Sequence, residues 1–143
     1  MEDNFRLSVH TLNYSGTGTS TRVVVRDTNT GEVACSLIVE KLVPPMEQKG
    51  IIWEMTKDDQ TCYTIWDFTT RREYRRKGLA TAALDYAVKL FGNFNLTLIA
   101  KPLARYKDDI PLYLLVKFYE KFGFETVKTL TDRVIMKRIH NDV

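Results

Sequence analysis

With 143 residues, 44% of them apolar and 27% charged, the chain is long enough to bury one core of its own, a single domain over 1–143 with no help from metal. A net charge of +3, an acidic start at Met1-Glu2-Asp3-Asn4 with no apolar stretch behind it, and no run near the ~20 apolar residues of a bilayer span argue against membrane or secreted classes and for a cytoplasmic location. Cys35 and Cys62 lack the close pairing of a zinc or redox motif, so they read as reduced core residues, with a disulfide between them left open.

In chain order, Phe5 to Leu12 alternates as a strand and Asn13 to Ser20 is a Gly/Ser/Thr loop. Thr21 to Asp27 and Glu32 to Leu42 flank Thr28-Asn29-Thr30-Gly31, which predicts a hairpin. Pro44-Pro45 and Gly50 bracket a connection, and Ile51 to Met55 is predicted as a strand turning at Lys57 to Gln60. Tyr63 to Thr70 is dense in β-branched and aromatic residues, a strand again. Beyond Gly78 the chain turns helical: Leu79, Ala83, Tyr86, Ala87 and Leu90 form one stripe of a 3.6-residue repeat, and Gly92 marks its stop. Asn95 to Ala100 fits a buried strand, and Lys101 to Ile110 a polar loop. Pro111 opens a second helix with Leu112, Leu115, Val116, Tyr119 and Phe122 on one face, closed by Gly123. Phe124 to Leu130 and Arg133 to Ile139 predict a final hairpin around Thr131-Asp132.

The junction Arg75-Arg76-Lys77-Gly78-Leu79-Ala80 is the most informative segment. A strand that enters a helix through a glycine turn aims unpaired N–H groups and the positive end of the helix dipole at one point, where an anion can sit. Arg71, Arg72, Arg75, Arg76 and Lys77 crowd the same turn, a cluster that suits a polyphosphate better than a long duplex. Forty-five residues beyond Gly78 stands Gly123, inside a helix end followed at once by a strand.

Together REYRRKGLATAALDYAV (Arg72 to Val88) and KFYEKFGFE (Lys117 to Glu125) resemble, in order and spacing, the two signature motifs of the GNAT superfamily of acyl-CoA-dependent N-acetyltransferases, and the resemblance runs from Thr61 to Ile139. It implies an α/β (α+β) fold: a mixed, mostly antiparallel sheet splayed at a cofactor cleft and flanked by helices. The family carries one or two helices between its first strands, where this sequence predicts hairpins and loops, so the N-terminal helices are reduced. The cofactor implied is acetyl-CoA, as acyl donor. Backbone amides from Arg75, Arg76, Lys77, Gly78, Leu79, Ala80 and Thr81 would hold its pyrophosphate, and main-chain groups of the strand at Phe68, Thr69 and Thr70 the pantetheine arm and acetyl carbonyl. Small Gly78 and Ala80 let the main chain come close, Arg76 and Lys77 add charge, and Arg75 braces the turn.

Acetyl transfer needs a neutral amine, a stabilised oxyanion and a proton for the departing thiolate. Tyr119 matches the family tyrosine that supplies the proton, although its place on an apolar stripe also suits an ordinary core residue. The asparagine that many members carry before this tyrosine is replaced by Leu112. For the base, the positions the family uses would fall near Thr64 or Trp66, neither of them a base; Glu54 and Asp67 are the nearby carboxylates, and a water relay or no base is the alternative. Strand alternation would point Asp67 to the opposite face. His10 and His140 read as surface residues, and Asp58, Asp59, Asp108 and Asp109 as loop residues, with attraction of a cationic amine the sharper alternative. The expected partner is an amine acceptor, with no membrane and no metal; a homodimer is compatible with the sequence. Two further readings stand beside the enzyme: a GNAT-like CoA-binding module without turnover, and a small nucleic-acid-binding protein, disfavoured because no aromatic platforms interleave with the basic run.

Overall fold

The structure, a computed structural model, describes residues 4–14, 18–57, 62–102 and 110–140. Among them lie seven strands and three α-helices, an α/β fold, and the chain divides into two compact units that interleave in sequence, residues 1–41 with 65–92 and residues 42–64 with 93–143. Asp58, Asp59, Asp108 and Asp109 fall outside the described residues. No helix is long and apolar enough to cross a membrane.

The first unit is built on the strands β1 Phe5–Tyr14, β2 Gly18–Asp27 and β3 Val33–Leu42, with β4 Cys62–Thr70 next in order. Both β1/β2 and β2/β3 are antiparallel, and β1 and β2 stay paired out to Tyr14 and Gly18, so the described part of the stretch expected as a loop is strand. Val23, Val24 and Val25 are all fully buried, which means that both faces of β2 are covered; β-branched side chains suit such a position. The helix α2 Leu79–Leu90 packs on β2. It buries Leu79, Ala83, Leu84 and Ala87, while Tyr86 and Leu90 of the expected stripe are exposed, so Leu84 joins the buried side in their place. The predicted hairpin is present: Gly31 sits at φ +76°, its N–H donates to the Asp27 carbonyl at 2.8 Å, and the Asn29 N–H donates to Asp27 Oδ1 at 2.8 Å.

The second unit starts with α1 Gly50–Thr56, followed in order by the first residues of β4, by β5 Asn95–Ala100 and α3 Leu112–Glu120, and by the hairpin of β6 Glu125–Thr129 and β7 Val134–Arg138. Here β7 lies between β5 and β6, antiparallel to both. The segment Ile51 to Met55, expected as a strand, is helical. Its residues do not alternate, and docking on β7 buries Met55 and Thr56 one turn beyond Ile51 and Ile52, where the Thr56 hydroxyl donates to the Ile52 carbonyl at 2.8 Å. Tertiary contact overrides the strand propensity of two isoleucines and a tryptophan. The one α-helix before β4 among the described residues thus follows β3 rather than separating the first strands. Leu96, Leu98, Phe124, Ile135 and Met136 are the core of this unit. Cys35 and Cys62 are free and buried.

Candidate functional site

In the first unit the end of β4 is fixed before the basic turn begins. The Arg71 N–H donates to the Ala34 carbonyl of β3 at 2.9 Å, and a single 3-10 turn over Arg72–Tyr74 follows. The Arg75 N–H closes that turn on the Arg72 carbonyl at 3.3 Å. Arg75, expected among the amide donors, therefore has its own N–H committed. The next residues swing through the left-handed region, Arg76 at φ +64° and Gly78 at φ +77°, and Gly78 leads into α2 without any side-chain cap. Glycine takes that geometry at no steric cost, whereas arginine is strained there by roughly 1 kcal/mol. Nothing lies within 4 Å of the point where a Gly78 Cβ would stand, so the main chain faces open space.

The first helical N–H with a carbonyl partner is that of Ala82, which donates to Gly78 at 3.1 Å. The N–H groups of Leu79, Ala80 and Thr81 have none among the described residues. Three donors at a helix start, with two left-handed residues before them, are a set of groups that an anion can take. Of the five cations, Arg71 is paired with Glu32 at 3.6 Å and with Glu73 at 3.3 Å, and Arg72 and Arg75 are engaged as well. Arg76 and Lys77 are exposed and make no ion pair among the described residues.

Along β4, Phe68 and Thr70 are half-buried and Thr69 is exposed; the Thr70 hydroxyl donates to Cys35 Sγ at 3.3 Å. Asp67 has φ +49°, and Trp66 and Asp67 are both exposed, so the expected alternation is broken at this point. A left-handed residue inside a strand re-aims its neighbours, and it is the kind of outlier found at ligand sites. Nothing in the sequence around Asp67 announces it.

In the second unit, Glu54 projects from α1 rather than from a strand. Its carboxylate is held by Lys57 at 3.0 Å and by Lys128 at 3.4 Å, and the hydrogen bond from Lys57, with Lys128 adding to it, keeps the carboxyl below the usual glutamate range. Glu54, Gly50, Ile51, Lys128, Leu130 and Ile135 line a cavity of about 180 Å³. Tyr119 is 7% exposed, with its ring edge-on to Phe118 and Phe124 at 5.4 and 6.0 Å. Burial pushes its phenol up to about 12. Gly123 ends α3 at φ +90°, and Leu112 lies half-buried at its start. His10 is exposed beside Ser8, and the His140 N–H donates to Asn95. Among the described residues no three His, Cys, Asp or Glu side chains gather as a metal site.

Comparison with known proteins places this geometry in a family. The profile of the Acetyltransferase (GNAT) family matches residues 42–124, more than half of the chain, and the chain belongs to that family. A search of curated protein sequences finds no match. Among solved structures, NAA60 of Arabidopsis thaliana in complex with a bisubstrate analogue superposes with a TM-score of 0.61 at 13% identity, over 90% of this chain and 79% of that one. PH1933 of Pyrococcus horikoshii gives 0.59 at 17% identity over 84% of this chain, which spans 65% of that protein's length. Naa50 of Arabidopsis thaliana in complex with the bisubstrate analogue CoA-Ac-MVNAL gives 0.55 at 14%, over 82% and 71%. These likenesses establish a shared GNAT fold.

Proposed function

We propose that the protein is an N-acetyltransferase that moves an acetyl group from acetyl-CoA to a primary amine by direct attack in a ternary complex. The observation that carries this reading is the turn before α2, where the amides of Leu79, Ala80 and Thr81 lack carbonyl partners among the described residues and Gly78 opens on empty space. A diphosphate matches those donors, and Arg76 and Lys77 add positive charge. Phe68, Thr69 and Thr70 on β4 are the positions whose main chain would line the pantetheine arm, by the family resemblance.

In the reaction the amine nitrogen bonds to the thioester carbon, the carbon–sulfur bond breaks, and the thiolate takes up a proton. Tyr119 is the proposed proton donor. Its phenol, at about 12, stays protonated at every physiological pH, yet it lies ~3 pH units above an ordinary thiol, so transfer from its buried state is uphill unless the bound substrate changes its surroundings. The amine loses its own proton through water, with Asp67 and Glu54 as carboxylate alternatives. Two lysines already on Glu54 weaken it as a base.

That commitment of Glu54, together with Leu112 in place of the helper asparagine, supports a second reading, a CoA-binding module with little turnover. Calorimetric titration with acetyl-CoA, paired with thiol release over a panel of small amines and Met-initiated peptides, separates the two. Saturable binding with thiol release on an amine is the expected result; binding with no release on any amine selects the module, and no binding at all overturns both. Location in the cytoplasm and a homodimer belong to the same proposal, tested by fractionation and by sedimentation.

A further inference from the structure

The turn that offers its amides is itself gripped from behind by a polar cluster in the same unit. Tyr74, the last residue of the 3-10 turn, is 8% exposed, and its ring stands edge-on to Phe5 at 5.9 Å. Its hydroxyl donates to Asp27 Oδ2 at 2.8 Å and lies 3.2 Å from Glu32 Oε2 and 3.5 Å from the Thr30 hydroxyl, across the β2–β3 hairpin. The two oxygens of Asp27 have separate tasks: Oδ2 accepts the hydrogen bond of the Tyr74 hydroxyl, and Oδ1 accepts that of the Asn29 N–H, which shapes the hairpin. Glu32 Oε2 is shared in turn with Arg71, whose other terminal nitrogen reaches Glu73.

Four residues separate Tyr74 from the first residue of α2, and two of them, Arg76 and Gly78, are left-handed. A strained arginine backbone persists only where its surroundings over-determine it. The hairpin supplies that constraint at one end of the turn and α2 at the other. Resting on the reading of the turn as the CoA diphosphate site, we propose that the Asp27–Tyr74–Glu32 cluster holds the turn in its ligand-binding geometry before CoA arrives, with Tyr74 as a positioning residue for diphosphate recognition. A preformed cradle spares the ligand the ordering cost that a slack loop would impose. A buried tyrosine that merely satisfies its hydroxyl would carry stability for the whole unit and leave the turn no different from the rest.

Hydrogen exchange on the full ligand-free chain tests this directly in Tyr74→Phe, which keeps the ring and deletes the hydroxyl. The Arg75 and Ala82 amides, bonded to Arg72 and Gly78, are expected to lose about tenfold in protection, while those of the core residues Val24, Leu98 and Met136 keep theirs. In parallel, Kd for acetyl-CoA should rise about tenfold. Unchanged protection at Arg75 and Ala82, or an equal loss everywhere, overturns the brace. Failure of the unsubstituted protein to bind acetyl-CoA overturns the reading of the site instead, and leaves the exchange result to judge the brace alone. Should Tyr74→Phe fail to fold, Glu32→Ala, at an exposed side chain, is expected to lower protection of the same two amides about threefold; no loss there also overturns the proposal.

Discussion

In the first unit three main-chain donors at the start of α2 have no carbonyl partner among the described residues, whereas in the second the candidate side chains Glu54 and Tyr119 are already engaged. The N–H groups of Leu79, Ala80 and Thr81 have no carbonyl partner among the described residues, and they follow a left-handed Gly78 whose Cβ position is open. Glu54, by contrast, is held by two lysines, and Tyr119 is packed among aromatic rings. Every helix start leaves such donors, and at this one the exposed Arg76 and Lys77, without ion pairs among the described residues, stand beside them. Under the proposed function, anion recognition would rest on the backbone of the first unit, and proton transfer on Tyr119 of the second, with Asp67 and Glu54 as the carboxylates of the two units.

Four experiments bear on that contrast. The largest effect is expected at Tyr119: Tyr119→Phe should lower kcat about 10²-fold and leave acetyl-CoA affinity within a factor of two, as steady-state kinetics and titration would record. An unaltered kcat would return Tyr119 to the core. Next is an alkaline effect on stability. Because the folded phenol titrates near 12 and a free one near 10, the folded state keeps its full advantage below pH 10 and loses stability as pH rises toward 12, by on the order of 2 to 3 kcal/mol at the limit. Denaturant midpoints between pH 9 and 12 should show that slope, and Tyr119→Phe should lessen it, with the raised Tyr74 phenol keeping part of it.

A step smaller, Gly78→Val places a β-branched residue at φ +77° and a side chain in the space before the amides. Kd for acetyl-CoA should rise at least ~10-fold in calorimetry. If affinity survives, the diphosphate lies elsewhere and the contrast between the regions fails. The smallest effect is expected at Glu54, where Glu54→Gln should change kcat by less than about threefold, since its charge already serves Lys57 and Lys128. A loss of 10²-fold would instead make it the base.

Much of the fold is legible in the sequence because local patterns suffice for it. The hairpin at Thr28 to Gly31, the helix after Gly78 and the helix closed by Gly123 each follow from residues adjacent in sequence. Two departures fall where distant contacts decide. Ile51 to Met55 carries strand formers yet docks on β7 as a helix, and the inward side of α2 runs through Leu84 rather than Tyr86 and Leu90. The bond from the Arg75 N–H to the Arg72 carbonyl is local, yet the residues there do not announce it. Alternation along β4 fixes a face for Asp67, and its positive φ cancels that rule.

By itself, then, the order of residues determined the strand, glycine turn and helix that gather N–H groups at one point, and the motif pair that marks the acetyltransferase family, because backbone geometry at such a turn depends on neighbours only a few places away. Which amides stay open, which carboxylates are already neutralised, and that Tyr74 meets Asp27 and Glu32 across a hairpin more than forty residues earlier in the chain were settled only by the tertiary structure. Hydrogen bonds and ion pairs are satisfied by whatever the folded chain brings within about 3 Å, and sequence distance carries no record of that.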